Sequence, residues 1–154
     1  LLSTLLKEHF MSSPYALYIN GQWVDGDRHI TNANPSDLTD VIGDYAQASA
    51  AQVKEAIEAA RLGQREWAKT GLEQRYSVLM AIGDELMARK EALGRLLSRE
   101  EGKPLAEGMG EVARSAQFFH YYAAEVLRQL DERVDSVRPG VEVETRREPV
   151  GVVG

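Results

Sequence analysis

Glu100 and Glu101 are adjacent carboxylates, followed at once by Gly102-Lys103-Pro104. Two carboxylates do general acid–base work only when they face one another, and neighbours on a helix diverge. Taken by themselves they read as the solvated end of a helix. Lys103 stands where a cation favours the negative end of that helix; a Schiff-base role would need a desolvating pocket, which the sequence does not display. His9, His29 and His120 are isolated from one another and lack metal-ligand spacing. His120 lies inside Phe118-Phe119-His120-Tyr121-Tyr122, a run that could be mistaken for a base-stacking platform. Its helical setting and the acidic balance of the chain favour packing or an interface. Gly108 and Gly110 are not a dinucleotide fingerprint, because no strand precedes them and the G-x-G-x-x-G spacing fails. Each costs a helix about 1 kcal/mol against alanine, which close packing or a frayed first turn would explain. Gly151-Val-Val-Gly154 is not a fingerprint either. With no cysteine in the sequence, a disulfide frame, a Cys-ligated zinc and a thiol nucleophile are excluded within these residues.

The elements that must position these groups are mainly helices. Gly102 is a helix stop, because glycine takes up the left-handed cap at least cost. Pro104 then suits the first turn of a new helix. In that long helix, which reads to Leu130, Val112, Ala116, Phe119, Ala123, Val126, Leu127 and Leu130 fall on one face. Arg114, Ser115, Phe118 and Tyr122 fall on the other, which reads as a mixed surface. Three helices precede it. Ser49 and Gln52 form a capping box for the first, with Val53, Ala56, Ile57 and Ala60 as its buried stripe. Gly63 stops it, and Trp67 plugs the core from the connection. Leu72, Tyr76, Leu79, Met80, Gly83, Leu86 and Met87 mark the second, and Leu93, Leu96 and Leu97 the third.

Strands flank the helices. Tyr18 to Val24 reads as one short strand kinked or bulged at Asn20-Gly21, His29 to Asn32 as a second and Asp40 to Ala46 as a third, with turns at Asp25-Gly26-Asp27 and Asn34-Pro35-Ser36-Asp37. After the polar stretch Asp131–Asp135 and a turn at Arg138-Pro139-Gly140, Val141 to Arg147 alternates as a strand with one wet face. Val150 to Gly154 reads as the start of a buried parallel strand.

A length of 154 residues suits a single domain, and 44% hydrophobic residues is too many for a disordered chain. A net charge of −6 excludes a large nucleic-acid footprint. No apolar run approaches the ~20 residues of a membrane span, and the first ten residues make a poor signal peptide. Met11-Ser-Ser reads as a natural start. Leu1 to Phe10 reads as upstream readthrough or a mis-set start, a short amphipathic helix being the other reading.

Glu100-Glu101-Gly102-Lys103-Pro104, followed downstream by Thr145-Arg-Arg-Glu-Pro-Val-Gly-Val-Val-Gly154, resembles the N-terminal third of an aldehyde dehydrogenase. Order and separation of the two motifs make the match specific, and it extends from about Tyr15 onward. The resemblance implies an α/β fold, here mostly α-helical with short N-terminal strands and a C-terminal strand arm. Residues 1–10 would be a leader and 11–136 the first strands and helices of the cofactor-binding domain. Residues 137–149 would form an oligomerisation strand arm, and 150–154 the truncated start of the first Rossmann-like strand. The chain would be a fragment, poorly folded or self-associating in isolation.

The chemistry implied is oxidation of an aldehyde to an acid with NAD or NADP, by a cysteine thiolate, an oxyanion-holding asparagine and a water-activating glutamate. None of these lies between Leu1 and Gly154. By the same resemblance Glu100, with backbone carbonyls near Asn32 and Ala33, would hold a structural monovalent cation, a hard ion suited to oxygen ligands. Arg114 and Phe118 would line the substrate tunnel, and Val141 to Arg147 would join a sheet across subunits of a dimer or tetramer. The runs Ser136-Val-Arg-Pro-Gly-Val-Glu-Val-Glu-Thr and Gln117-Phe-Phe-His-Tyr-Tyr-Ala look most like the branch acting on 2-oxoglutarate semialdehyde (2,5-dioxopentanoate). The partners expected are a small aldehyde and further copies of the chain, with no nucleic acid or membrane, in the cytoplasm. A non-enzymatic helical interaction module is the alternative, and an acyl-phosphate reductase relative on the same fold is a third reading.

Overall fold

The structure, a computed structural model, describes residues 15–128 and 131–154. The leader Leu1 to Phe10, Met11 and Leu130 lie outside the described residues. Among the described residues six strands and four helices follow in the order β1 (Leu17–Ile19), β2 (Gln22–Val24), β3 (Arg28–Asn34), β4 (Asp37–Gln47), α1 (Ala50–Ala68), α2 (Leu72–Ala88), α3 (Lys90–Glu101), α4 (Leu105–Val126), β5 (Glu132–Asp135) and β6 (Glu142–Thr145). The strands form three antiparallel pairs, β1 with β2, β3 with β4 and β5 with β6. The described residues divide into two compact units, one from residues 15–60 and 91–110, the other from 61–90 and 111–154.

In the first unit, Asn20 and Gly21 both take positive φ, 49° and 78°. That backbone matches the twist of a two-residue hairpin, so Tyr18 to Val24 is two paired strands instead of one kinked strand. The Asn34-to-Asp37 turn forms as expected and joins β3 to β4. Asn34 Oδ1 accepts the Ser36 N–H at 2.9 Å, and Asp37 Oδ1 accepts the Thr39 N–H at 3.1 Å. The capping box at Ser49 is reciprocal: the Ser49 N–H donates to Gln52 Oε1 at 2.9 Å, and the Gln52 N–H donates to Ser49 Oγ at 3.3 Å. Ile19, Ile42 and Ala46 are buried here. Helix α3 meets the start of α4 without intervening side chains, because a Cβ on Gly94 would lie 2.7 Å from Met109 Cα and one on Gly108 would lie 2.5 Å from the Gly94 carbonyl oxygen. Close packing therefore accounts for Gly108. Gly110 faces open space.

Helix α1 runs through Gly63 to Ala68, five residues past the expected stop. Glycine weakens a helix interior by about 1 kcal/mol but does not end it when good helix formers follow. The end comes where Arg75 donates to the Ala68 carbonyl at 2.8 Å and to Thr70 Oγ1 at 3.1 Å, a cation satisfying the last carbonyls. Trp67 therefore sits in the last helical turn, and at 41% exposure it plugs no core. The expected stripe of α1 is not buried either: no residue of this helix is.

In the second unit, α4 buries Val112, Ala116 and Ala123. It ends at Val126 and not at Leu130, tightening through Leu127 N–H to Ala124 O and Arg128 N–H to Glu125 O. The polar stretch after it contains a strand the sequence did not suggest. β5 pairs with β6 from Glu132 opposite Thr145 to Asp135 opposite Glu142. Both strands are exposed on both faces, so neither presents the one dry face expected of Val141 to Arg147. Val150 to Gly154 forms no strand: an apolar run becomes a strand only when a neighbour takes its N–H and C=O groups, and no described strand pairs with it. Among the described residues no helix is long and apolar enough to cross a membrane.

Candidate functional site

The polar groups of the first unit converge where β3 and β4 meet the C-terminal end of α3. Two register shifts, at Asn32/Ala33 and Ala33/Asn34, put bulges in the pair, and such bulges re-aim side chains. Arg99 holds Asp40 in a two-pronged ion pair, Nε to Oδ2 at 2.8 Å and Nη2 to Oδ1 at 2.5 Å. The fork geometry suits a planar guanidinium and a carboxylate. Asn34 Nδ2 adds a third donor on Asp40 Oδ2 at 3.2 Å. Beside this pair, Glu100 Oε1 accepts from Asn32 Nδ2 at 3.1 Å and from the Tyr45 hydroxyl at 3.5 Å. Tyr45 stacks on Tyr15 with ring centroids 4.4 Å apart. Two residues on from Glu100, Ser36 Oγ donates to the Gly102 carbonyl at 3.0 Å.

These contacts set the charges. The hydrogen bonds from Arg99 and then Asn34 hold the Asp40 carboxyl down from 3.8 to about 2. Arg99 is pushed up in turn by its hydrogen bond to Asp40. The Tyr45 phenol is raised, first by burial and then by the Glu100 charge. Because the folded pKa of Asp40 is the lower one, ionised Asp40 stabilises the fold above pH 3.8, and that contribution disappears as pH falls toward about 2. Asp40→Asn is therefore expected to melt below the native protein at neutral pH, with the two curves converging over that acid window. Parallel curves of melting temperature against pH would contradict this.

Of the residues expected to hold a monovalent cation, Asn32 and Glu100 do come together, and Ala33 lies in the bulge between the two register shifts. On the side-chain side, the oxygen a cation would take is already occupied. Hydrogens of Asn32 and Tyr45 point at the Glu100 oxygen that a cation would need, and Asp40 is taken by Arg99 and Asn34. No cluster of three or more His, Cys, Asp or Glu that could hold a metal occurs among the described residues.

In the second unit, Arg114 and Phe118 lie exposed on α4, with the guanidinium carbon 5.0 Å from the ring centroid. Arg114 also donates to Gln117 Oε1 at 3.2 Å. Tyr121 and Tyr122 extend the same exposed aromatic surface. His120 is a packing residue in part: its ring lies where a Cβ on Gly83 would be, and Nε2 is 3.0 Å from Asp84 Oδ1. In the first unit, Lys103 Nζ pairs with Glu101 at 2.6 Å and His29 with Asp25 at 2.9 Å. Sequence reasoning missed Asp40, Arg99 and Tyr45. The one available signal was that Arg99 precedes Glu100 at a helix end, where a side chain of either can reach a neighbouring strand.

The model of the aldehyde dehydrogenase family matches residues 23–154. The α-ketoglutarate semialdehyde dehydrogenase of Haloferax volcanii is 32% identical over 144 residues, covering 92% of this chain and 30% of that protein. The α-ketoglutaric semialdehyde dehydrogenase of Bacillus subtilis is 34% identical over 143 residues, covering 91% and 29%. Among solved structures, an aldehyde dehydrogenase from Brucella melitensis superposes with a TM-score of 0.78 at 30% identity, over 84% of this chain and 27% of that one. A betaine aldehyde dehydrogenase variant from Staphylococcus aureus, in complex with NAD+, gives 0.77 at 27% identity, over 92% and 28%. The chain thus spans about a third or less of the length of the relatives it matches.

Proposed function

Because the chain belongs to the aldehyde dehydrogenase family, we propose that the protein carrying it oxidises an aldehyde to the carboxylic acid with NAD or NADP. The single observation that carries this is the family match over nearly the whole chain, from residue 23 to residue 154. The reacting cysteine is assigned to another part of that protein, since the sequence here has no cysteine, and the family resemblance assigns the oxyanion donor and the activating glutamate there with it. The residues in hand brace the cofactor-binding domain.

A carboxylate-bearing semialdehyde is the substrate class we assign, with 2-oxoglutarate semialdehyde foremost. In support, the similar proteins include dehydrogenases named for α-ketoglutarate, glutarate and succinate semialdehydes. Arg114 and Phe118 are assigned to the tunnel that admits it. They share an exposed helix face, and a guanidinium suits a carboxylate. Val141 to Arg147 is assigned to subunit pairing in a dimer or tetramer; β6 pairs with β5 alone among the described strands, which leaves an edge able to accept another strand. With nicotinamide cofactor available there, the cytoplasm is the compartment assigned.

The test is dinucleotide reduction by the full-length protein offered 2-oxoglutarate semialdehyde, succinate semialdehyde and betaine aldehyde in turn. The acidic semialdehydes are expected to turn over faster than the cationic aldehyde. Arg114→Met should raise KM for the acidic substrates and leave that of an uncharged aldehyde unchanged. No reduction of either dinucleotide with any aldehyde would refute the reading.

A further inference from the structure

We propose that the Asn32 side-chain amide, assisted by the Tyr45 hydroxyl, does at Glu100 what a monovalent cation would do, so that this joint between β3 and α3 closes without a metal ion. A cation there would give the carboxylate at the end of α3 something positive to grip on the strand. The structure already provides it, as an amide N–H at 3.1 Å and a phenol O–H at 3.5 Å on one oxygen of Glu100.

The neighbouring carboxylate is filled in the same way. Asp40 receives two bonds from Arg99 and one from Asn34. Five donor bonds therefore fall on two carboxylates, and the guanidinium supplies the fixed positive charge. A hard cation gathers a shell of oxygen ligands. To take Oε1 of Glu100 it would have to displace both bonds to that oxygen, and to use the Asn32 side chain as a ligand it would have to turn the amide end over end. Turned without an ion, the amide would set oxygen against oxygen at 3.1 Å, so the donating orientation is the stable one.

The experiment compares melting of the full-length protein in sodium, potassium and tetramethylammonium chloride at equal ionic strength. The native protein is expected to melt within about 1 °C in the three salts, where a shift of several degrees would mark ion-linked stability. Any salt-specific shift arising elsewhere in the protein persists in Glu100→Gln. Asn32→Asp removes the donor and opposes a second carboxylate to Glu100. It is expected to lower the melting temperature in tetramethylammonium and to recover in sodium or potassium. A sodium- or potassium-specific gain in the native protein that vanishes in Glu100→Gln overturns the proposal. So does an Asn32→Asp protein that melts like the native one in tetramethylammonium, because the amide would then be holding nothing. Should Asn32→Asp fail to fold, the comparison of the native protein with Glu100→Gln still decides. Neither readout depends on aldehyde turnover, so this inference stands or falls separately from the proposed activity.

Discussion

Gly94→Ala is expected to destabilise the protein by about 1–3 kcal/mol, the usual cost of forcing atoms into a filled contact. Propensity argues the other way, since alanine is better than glycine in a helix interior by about 1 kcal/mol. Geometry decides the sign. The added Cβ would lie 2.7 Å from Met109 Cα and 2.8 Å from Met109 N. Backbone atoms cannot rotate aside as a side-chain end can, so α3 and α4 must separate. The same contact is closed from the other side by Gly108. A Gly94→Ala/Gly108→Ala protein should therefore lose less than the sum of the two single losses, because the first methyl has already opened the gap. Urea or thermal unfolding of the three variants measures this. A Gly94→Ala protein at least as stable as the native one would show that the helices do not touch there.

Gly102→Ala is expected to cost about 2–5 kcal/mol through two separate effects. Gly102 has φ +72°, and a side chain in the left-handed region costs about 1–2 kcal/mol. Its Cβ would also stand 2.5 Å from Ser36 Oγ and 3.0 Å from Pro35 Cγ, which adds about 1–3 kcal/mol of overpacking. Ser36→Gly isolates the steric part. In that background the Gly102→Ala loss should fall toward the backbone cost of about 1–2 kcal/mol. An unchanged penalty would assign the whole effect to φ.

Much of this architecture was legible where a residue's own backbone or capping chemistry decides the outcome. Gly102 as a stop, the Ser49–Gln52 box and the turn after Asn34 each depend on two or three neighbouring residues. The errors fall where the outcome depends on something distant. Gly63 is passed because the end of α1 is set by Arg75, beyond the next turn. β5 forms because β6 lies opposite it, and Val150 to Gly154 stays irregular because no described strand does. Asn20-Gly21 was recognisable as a turn but misjudged in extent, since only the pairing of Leu17 with Val24 makes it a hairpin. The site divides in the same way. Glu100 with Asn32 could be anticipated from family resemblance, and their direct hydrogen bond could not. The Arg99–Asp40 pair joins residues 59 apart, and no periodicity connects a strand residue to one at the end of a later helix.

That separation has a consequence for how the chain is made. The first unit is discontinuous, with residues 61–90 interposed between its two pieces. On a ribosome adding about 5–20 residues per second, the β3–β4 hairpin must wait about 3–12 s for Arg99 to appear. During that interval Ile30, Leu38 and Val41, exposed even in the finished structure, lie beside an unneutralised Asp40. The β3–β4 pair should therefore exchange its amides fastest before Arg99 emerges and more slowly once the guanidinium reaches its carboxylate.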